Sequence, residues 1–166
     1  MFGNWNLSCA ILAGGKAKRF NGENKALLKI GAQTNFEKLL FVTDSIFKET
    51  IVVANTPDHY PCRDIKVVKD IFKNIGPIGG IHAALKVASG NAVFFFPCDM
   101  PFLNRNLILE QIKRFNNSDC NILIPRIGEF IEPLHAIYSK SLVKKLEEHL
   151  NTVSYTHLTL PTKRIV

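Results

Sequence analysis

With 166 residues, 46% of them hydrophobic and 21% charged, the chain has the size and balance of one ordinary globular domain. Its net charge of +7 is spread along the sequence with no helix-turn-helix, zinc-finger or RNP-like pattern, which excludes a nucleic-acid partner and leaves an anionic small ligand. No apolar run reaches the roughly 20 residues that cross a bilayer, and Met1-Phe2-Gly3-Asn4-Trp5-Asn6 lacks the basic start and apolar stretch of a secretory signal, so a cytoplasmic location away from membranes is expected.

The run Leu7–Leu12 has strand length and feeds a glycine turn, Ala13-Gly14-Gly15. A polar loop then continues to about Lys25. Apolar residues Phe36, Leu39, Leu40, Val42 and Ile46 recur at helical spacing over 35–47, and β-branched runs at Thr50–Ala54 and Ile65–Val68 predict strands. Gly76-Pro77-Ile78-Gly79-Gly80 reads as a turn opening a helix over 81–88. The continuously apolar Ala92–Phe96 predicts a strand buried on both faces. Further on, the pattern predicts a helix over 105–115, strands at 121–124 and 133–138, and a closing helix over 142–150.

Strands alternating with helical segments of this length predict βαβ units and a mostly parallel sheet with helices on both faces, a three-layer α/β/α sandwich of Rossmann-like character. In such sheets ligands bind beyond the carboxyl ends of the strands, where this sequence concentrates Gly, Asp and Lys. The stretch Val153–Thr162 departs from the rest. Its threonine-rich alternation resembles the translated read-through of a transposon-end adapter, with a terminal strand as the other reading. The domain is accordingly expected over residues 1–152, with 153–166 as a non-native tail and the native C-terminal segment missing.

The loop from Leu12 to Lys25 matches neither a Walker P-loop nor G-x-G-x-x-G. It nonetheless has what a phosphate site requires: Gly14 and Gly15 let backbone N–H groups face anionic oxygens, and Lys16, Lys18, Arg19 and Lys25 supply cations. A solvated surface loop is the alternative. Asp99, directly after the apolar strand, is suited to Mg²⁺, which takes one or two carboxylates together with phosphate; it also fits an Asx turn at the Pro97–Pro101 corner. Asp70 occupies an equivalent strand edge, where a capping role is the stronger reading. The Gly76–Gly80 turn either starts a helix or lets a nucleobase or sugar lie against the backbone, with Gly79 as the nucleotide-binding candidate. Glu132 and His135 lie near a strand edge, and a lone histidine in an apolar segment is first a core residue. Four scattered cysteines (Cys9, Cys62, Cys98 and Cys120) without a C-x-x-C pair read as reduced thiols.

Taken in order, Leu12-Ala13-Gly14-Gly15-Lys16-Ala17-Lys18-Arg19-Phe20, Asn24-Lys25-Ala26-Leu27-Leu28, Gly76-Pro77-Ile78-Gly79-Gly80-Ile81, Pro97-Cys98-Asp99-Met100-Pro101-Phe102 and Glu132-Pro133-Leu134-His135-Ala136-Ile137-Tyr138 resemble the MobA-type molybdenum cofactor guanylyltransferases. The resemblance implies a fold of the nucleoside-diphospho-sugar transferase type and transfer of GMP from GTP to molybdopterin or molybdenum cofactor. It implies that Leu12, Ala13 and Gly14 line the nucleotide pocket, that Lys25 binds phosphates, that Asp70 contacts the nucleotide and that Asp99 holds Mg²⁺. Asn55, closing the strand Val52-Val53-Ala54, matches a nucleotide-contacting Asn. The family usually has Asp where this chain has Asn24. The expected molecule is a monomer handing its product to molybdoenzymes or their chaperones. Rival readings are a cytidylyltransferase or sugar-phosphate relative, disfavoured by Gly14 where cytidylyltransferases tend to carry Ala, and an inactive cofactor-binding homologue.

Overall fold

The computed structural model describes residues 6–13, 25–55, 60, 65–72 and 75–152. Its elements in chain order are β1 (Leu7–Leu12), a 3₁₀ turn (Lys25–Leu27), β2 (Lys29–Ile30), β3 (Gln33–Thr34), α1 (Asn35–Asp44), β4 (Thr50–Val53), β5 (Lys66–Val68), α2 (Pro77–Val87), β6 (Ala92–Pro97), α3 (Arg105–Asn116), β7 (Ile122–Leu123), β8 (Arg126–Ile127), β9 (Phe130–Ile131), β10 (Ile137–Ser139) and α4 (Val143–Thr152). Six strands form one sheet in the order β5-β4-β1-β6-β10-β7. The pairs β5–β4, β4–β1 and β1–β6 are parallel, whereas β10 runs antiparallel to both its neighbours.

Strand periodicity divides the core in two. Cys9 and Ile11 of β1, Val52, Phe94, Phe96 and Ile137 face α1 and α3, meeting Phe36, Leu39, Ile108 and Ile112. Ala10, Leu12, Ile51, Val53, Val93 and Phe95 face α2 and α4, meeting Ile81, Ala84, Leu85 and Leu146. Phe94 and Phe96 stack with ring centroids 4.5 Å apart, and Phe47 closes edge-on against both at 6.0 Å. β6 is thus covered on both faces, as a continuous apolar run requires.

Local chemistry fixes the helix starts. Thr34 and Glu37 form a reciprocal capping box on α1, with Glu37 N donating to Thr34 Oγ1 at 3.2 Å and Thr34 N to Glu37 Oε2 at 2.7 Å. Asn104 caps α3 by accepting from the N–H groups of Asn106 and Leu107. No helix among the described residues is long and apolar enough to cross a membrane.

Two expectations change, and two elements are added. Helix α2 begins at Pro77 rather than Ile81, because Gly76 at φ 75° caps it and Pro77 takes the first helical position, where a missing N–H costs nothing. Residues 133–136 turn instead of extending: Pro133 has no N–H to give a ladder, His135 N donates to Glu132 O, and pairing starts at Ile137. Two short hairpins, β2–β3 and β8–β9, occupy stretches to which the sequence pattern assigns no element.

Candidate active site

The backbone aligns the carboxyl ends of four adjacent strands. Ala54 N donates to Val68 O and Ala13 N to Val53 O, both at 2.9 Å, and Cys98 N donates to Leu12 O at 3.2 Å. One rim therefore carries Asp70 beyond β5, Asn55 beyond β4, Leu12 and Ala13 at the end of β1, and Asp99 beyond β6. Parallel neighbours lie about 4.8 Å apart, so the rim runs roughly 14 Å from the β5 end to the β6 end. Strand β1 sits where the connections change direction, with β4 on one side and β6 on the other; this switch point is where an open α/β sheet leaves a crevice.

Side-chain chemistry differs along the rim. Asp70 is half-buried, and burial pushes its carboxyl above the ordinary range while a hydrogen bond from the Asn55 side chain pulls the other way. Asp99 is exposed at the turn after β6. Among the described residues no three His, Cys, Asp or Glu side chains gather as a metal cage. Lys25 sits in the 3₁₀ turn that leads toward α1. Gly14, Gly15 and Arg19 lie outside the described residues.

The glycines at the start of α2 are helical, not looped. A Cβ on Gly79 would stand 2.7 Å from the Phe72 carbonyl oxygen and 3.2 Å from Ile75, so its bare face lets the helix approach the preceding loop. Gly80, read in the sequence only as part of the turn, faces the rim itself: a Cβ there would meet Leu12 Cδ2 and Val53 Cγ1 at 3.2 Å and Asp70 Oδ1 at 3.4 Å. The one signal for it in the sequence is the second glycine of a Gly-Pro-x-Gly-Gly helix start.

Two histidines are structural. His135 is buried, its Nε2 is 3.2 Å from Gln111 Oε1, and its ring meets Phe94 and Phe96 edge-on; burial holds its pKa below the ordinary value. Buried His82 joins α2 to α4 through Glu147 at 3.1 Å, beside the Lys86–Glu147 pair at 2.9 Å. None of Cys9, Cys98 and Cys120 is in a disulfide, and burial pushes the Cys9 thiol up to about 12.

The profile of the MobA-like NTP transferase domain matches residues 9–160. A protein of Peptoclostridium acidaminophilum named probable molybdenum cofactor guanylyltransferase is 40% identical over 151 residues, spanning 87% of this chain and 67% of that protein. Among solved structures, molybdopterin-guanine dinucleotide biosynthesis protein A from Archaeoglobus fulgidus superposes with a TM-score of 0.71 at 26% identity, covering 87% of this chain and 73% of its own. The 2-C-methyl-D-erythritol 4-phosphate cytidylyltransferase of Thermus thermophilus, at 16% identity and a TM-score of 0.65 over 90% and 78% of the two chains, shares the fold alone. A matching profile over most of the chain, a relative at 40% identity and a shared nucleotidyltransferase fold lead to one conclusion: this chain belongs to the MobA-like NTP transferase domain family.

Proposed function

We propose that this chain transfers GMP from GTP to the phosphate of molybdopterin or its molybdenum-loaded form, releasing pyrophosphate. The observation that carries the reading is the common rim. Two of the motifs shared with guanylyltransferases, at Leu12-Ala13 and Pro97–Asp99, lie far apart in sequence yet end at neighbouring strands β1 and β6, and Asn55 and Asp70 continue the same rim at the ends of β4 and β5. The working unit is a single domain over residues 1–152, with 153–166 outside it.

In this reading the backbone of Leu12, Ala13, Gly14 and Gly15 holds the nucleotide, with Lys25 and Arg19 neutralising its phosphates. Asn55 and Asp70 serve the nucleoside end, Gly79 lets α2 stand close against Phe72 and Ile75 in the stretch that follows Asp70, and Asp99 marks the phosphate end. A single exposed carboxylate at a strand edge suits an ion that keeps several waters and shares its remaining positions with substrate phosphates, so Asp99 would hold Mg²⁺. Bound there, the ion supplies charge neutralisation at the α-phosphate. An acceptor phosphate oxygen attacks the α-phosphorus in line as the bond to the bridging oxygen breaks, and the protein contributes position and fixed positive charge rather than a covalent intermediate. The molecule acts as a monomer and passes its product to molybdoenzymes or their chaperones.

A thermal-shift panel of GTP, CTP, ATP and UTP with Mg²⁺ tests the reading. GTP alone is expected to raise the melting temperature. Selective stabilisation by CTP would replace the guanine assignment with the cytidylyltransferase reading, and no stabilisation by any of the four would overturn nucleotide transfer altogether.

A further inference from the structure

We infer that the crevice between α1 and the loop joining β6 to α3 receives the pterin ring of the acceptor, while the acceptor's phosphate reaches the rim at Asp99. The inference rests on the guanylyl-transfer reading above and deepens it by placing the second substrate. The crevice has a volume of about 540 Å³, with Gln33, Lys38, Phe41 and Val42 on one side and residues 101–104 on the other. That is the size of a site for one small ligand, concave and marked by a few polar groups among apolar ones. Phe41 and Phe102 are 79% and 78% exposed. Scattered apolar side chains need no explanation, but two solvated rings lining one crevice form a patch that a ligand can cover. Lys38 Nζ lies 5.1 Å from the Phe102 ring centroid, which brings a cation from α1 across to the loop.

Placement favours the acceptor over the nucleotide. Pro101 and Phe102 follow Asp99 by two and three residues, so even an extended chain carries them no further than about 7 and 11 Å from it, Cα to Cα. The crevice opens on the α1 and α3 face of the sheet, where Val42 and Leu103 pack into the core. Asp70 lies toward the other face, beside Gly80 of α2. Two substrates that meet at one phosphorus need separate approaches, and the two faces provide them on either side of Asp99. The chemistry matches the position. Molybdopterin carries its phosphate on a methylene of the pyran ring fused to its pterin, so the ring lies just beyond the reacting group. A pterin is flat and heteroaromatic, with a carbonyl oxygen beside N–H and amino groups on its edge. Phe41 and Phe102 offer faces to stack on, Lys38 a donor for the carbonyl, and the Gln33 amide both a donor and an acceptor for the edge.

The test assays the chain with molybdopterin as acceptor and uses pterin-6-carboxylate as a stable fluorescent probe of the crevice. Phe102→Ala and Lys38→Ala are expected to raise the KM for molybdopterin about tenfold, the scale of one lost ring-stacking contact, with the KM for GTP unchanged and kcat at saturating acceptor within about threefold. Phe102→Trp keeps a ring and should regain the acceptor KM. Phe130→Ala removes a ring equally exposed on the β8–β9 hairpin and should move neither KM. A purely structural role for the crevice would lower the melting temperature or shift both KM values together. The probe should gain fluorescence anisotropy with the unmodified chain, lose it with Phe102→Ala, and shift the NMR amide signals of residues 38–42 and 101–104. An unchanged acceptor KM in both alanine variants overturns the inference, as does a probe that shifts amides elsewhere and leaves these unmoved. A dimer in sedimentation that Phe41→Ala/Phe102→Ala dissociates, with the acceptor KM unchanged, would give the crevice to a second copy of the chain instead. If no nucleotide stabilises the unmodified chain, the guanylyl-transfer reading fails, and the probe titration still decides whether the crevice holds a pterin.

Discussion

The two ends of the central sheet are built on opposite plans. At the amino end, Glu49 receives hydrogen bonds from the Ser8 hydroxyl and from both the backbone N–H and hydroxyl of Ser89, at 2.9 and 2.8 Å for the latter two. Gly90 N donates to Ser8 Oγ at 3.0 Å, Lys66 Nζ to Val87 O at 2.8 Å, and Lys140 Nζ to Ala88 O. Three strand starts and the end of α2 are stitched together there. At the carboxyl end, the strands present Asn55, Asp70 and Asp99 to whatever lies above them. One end ties strand starts together through its polar groups, and the other gathers Asn55, Asp70 and Asp99 along the proposed nucleotide rim, so substitutions at the two ends should fail in different ways.

The largest effect should come from the open end. Asp99→Ala should cut guanylyl transfer on the order of 10³-fold with circular dichroism and melting temperature unchanged; near-normal turnover would sink the proposed metal role. Next, at the tied end, Gly90→Ala should destabilise the fold by about 3 kcal/mol, because its Cβ would stand 2.7 Å from Ser8 N and 2.9 Å from Asn6 O, both backbone atoms. Denaturant melts check the loss, and activity per folded molecule should stay normal. Lys25→Ala should weaken GTP affinity about 10- to 100-fold by calorimetry, and an unchanged affinity counts against its phosphate contact.

Smaller effects depend on pH. Burial pushes the Glu49 carboxyl up, but the hydrogen bonds from Ser8 and Ser89, helped by Lys66, outweigh it and hold it below the ordinary value. The folded chain therefore gives up this proton more readily than the unfolded chain. The resulting stability is present above the unfolded value near 4.3 and is lost as pH falls through the lowered folded one. Glu49→Gln should cost about 1–2 kcal/mol at pH 7 and flatten the acid limb of the stability curve. Asp70 has the opposite sign: its raised folded value means stability declines as pH rises through that value. Asp70→Asn should leave stability at pH 7 unchanged or slightly higher while weakening GTP binding; a clear loss of stability would mean the carboxylate ties the fold together.

Much of this contrast was legible in the sequence, and the rest could not have been. The Leu7–Leu12 and Ala92–Phe96 runs marked strands because apolar residues on both faces leave few alternatives, and helical spacing marked α1 and α3. Asp99 stood out because it follows so apolar a strand. The direction of β10 was not readable, since a strand pattern carries no arrow. Gly79 and Gly80 read as a turn because local propensity favours one, whereas tertiary approach to Phe72, Leu12 and Val53 makes them helical. The tie between Glu49 and Ser8 spans 41 residues and that with Ser89 spans 40, beyond any local signal. The Asn55–Asp70 pair crosses from one strand end to the next and was visible only as two separate polar residues.

The antiparallel strand β10 has a consequence for synthesis. Until it arrives, one edge of β6 has no partner, and that edge belongs to Val93-Phe94-Phe95-Phe96, with fully exposed donors and acceptors on an apolar ribbon. β10 begins about forty residues after β6 ends, which at 5–20 residues per second is a wait of roughly 2–8 s on the ribosome. During that interval the nascent chain carries an adhesive edge that the finished sheet conceals. Chaperone demand, and losses to aggregation when translation is slowed between residues 97 and 137, should therefore track the delivery of this one short strand.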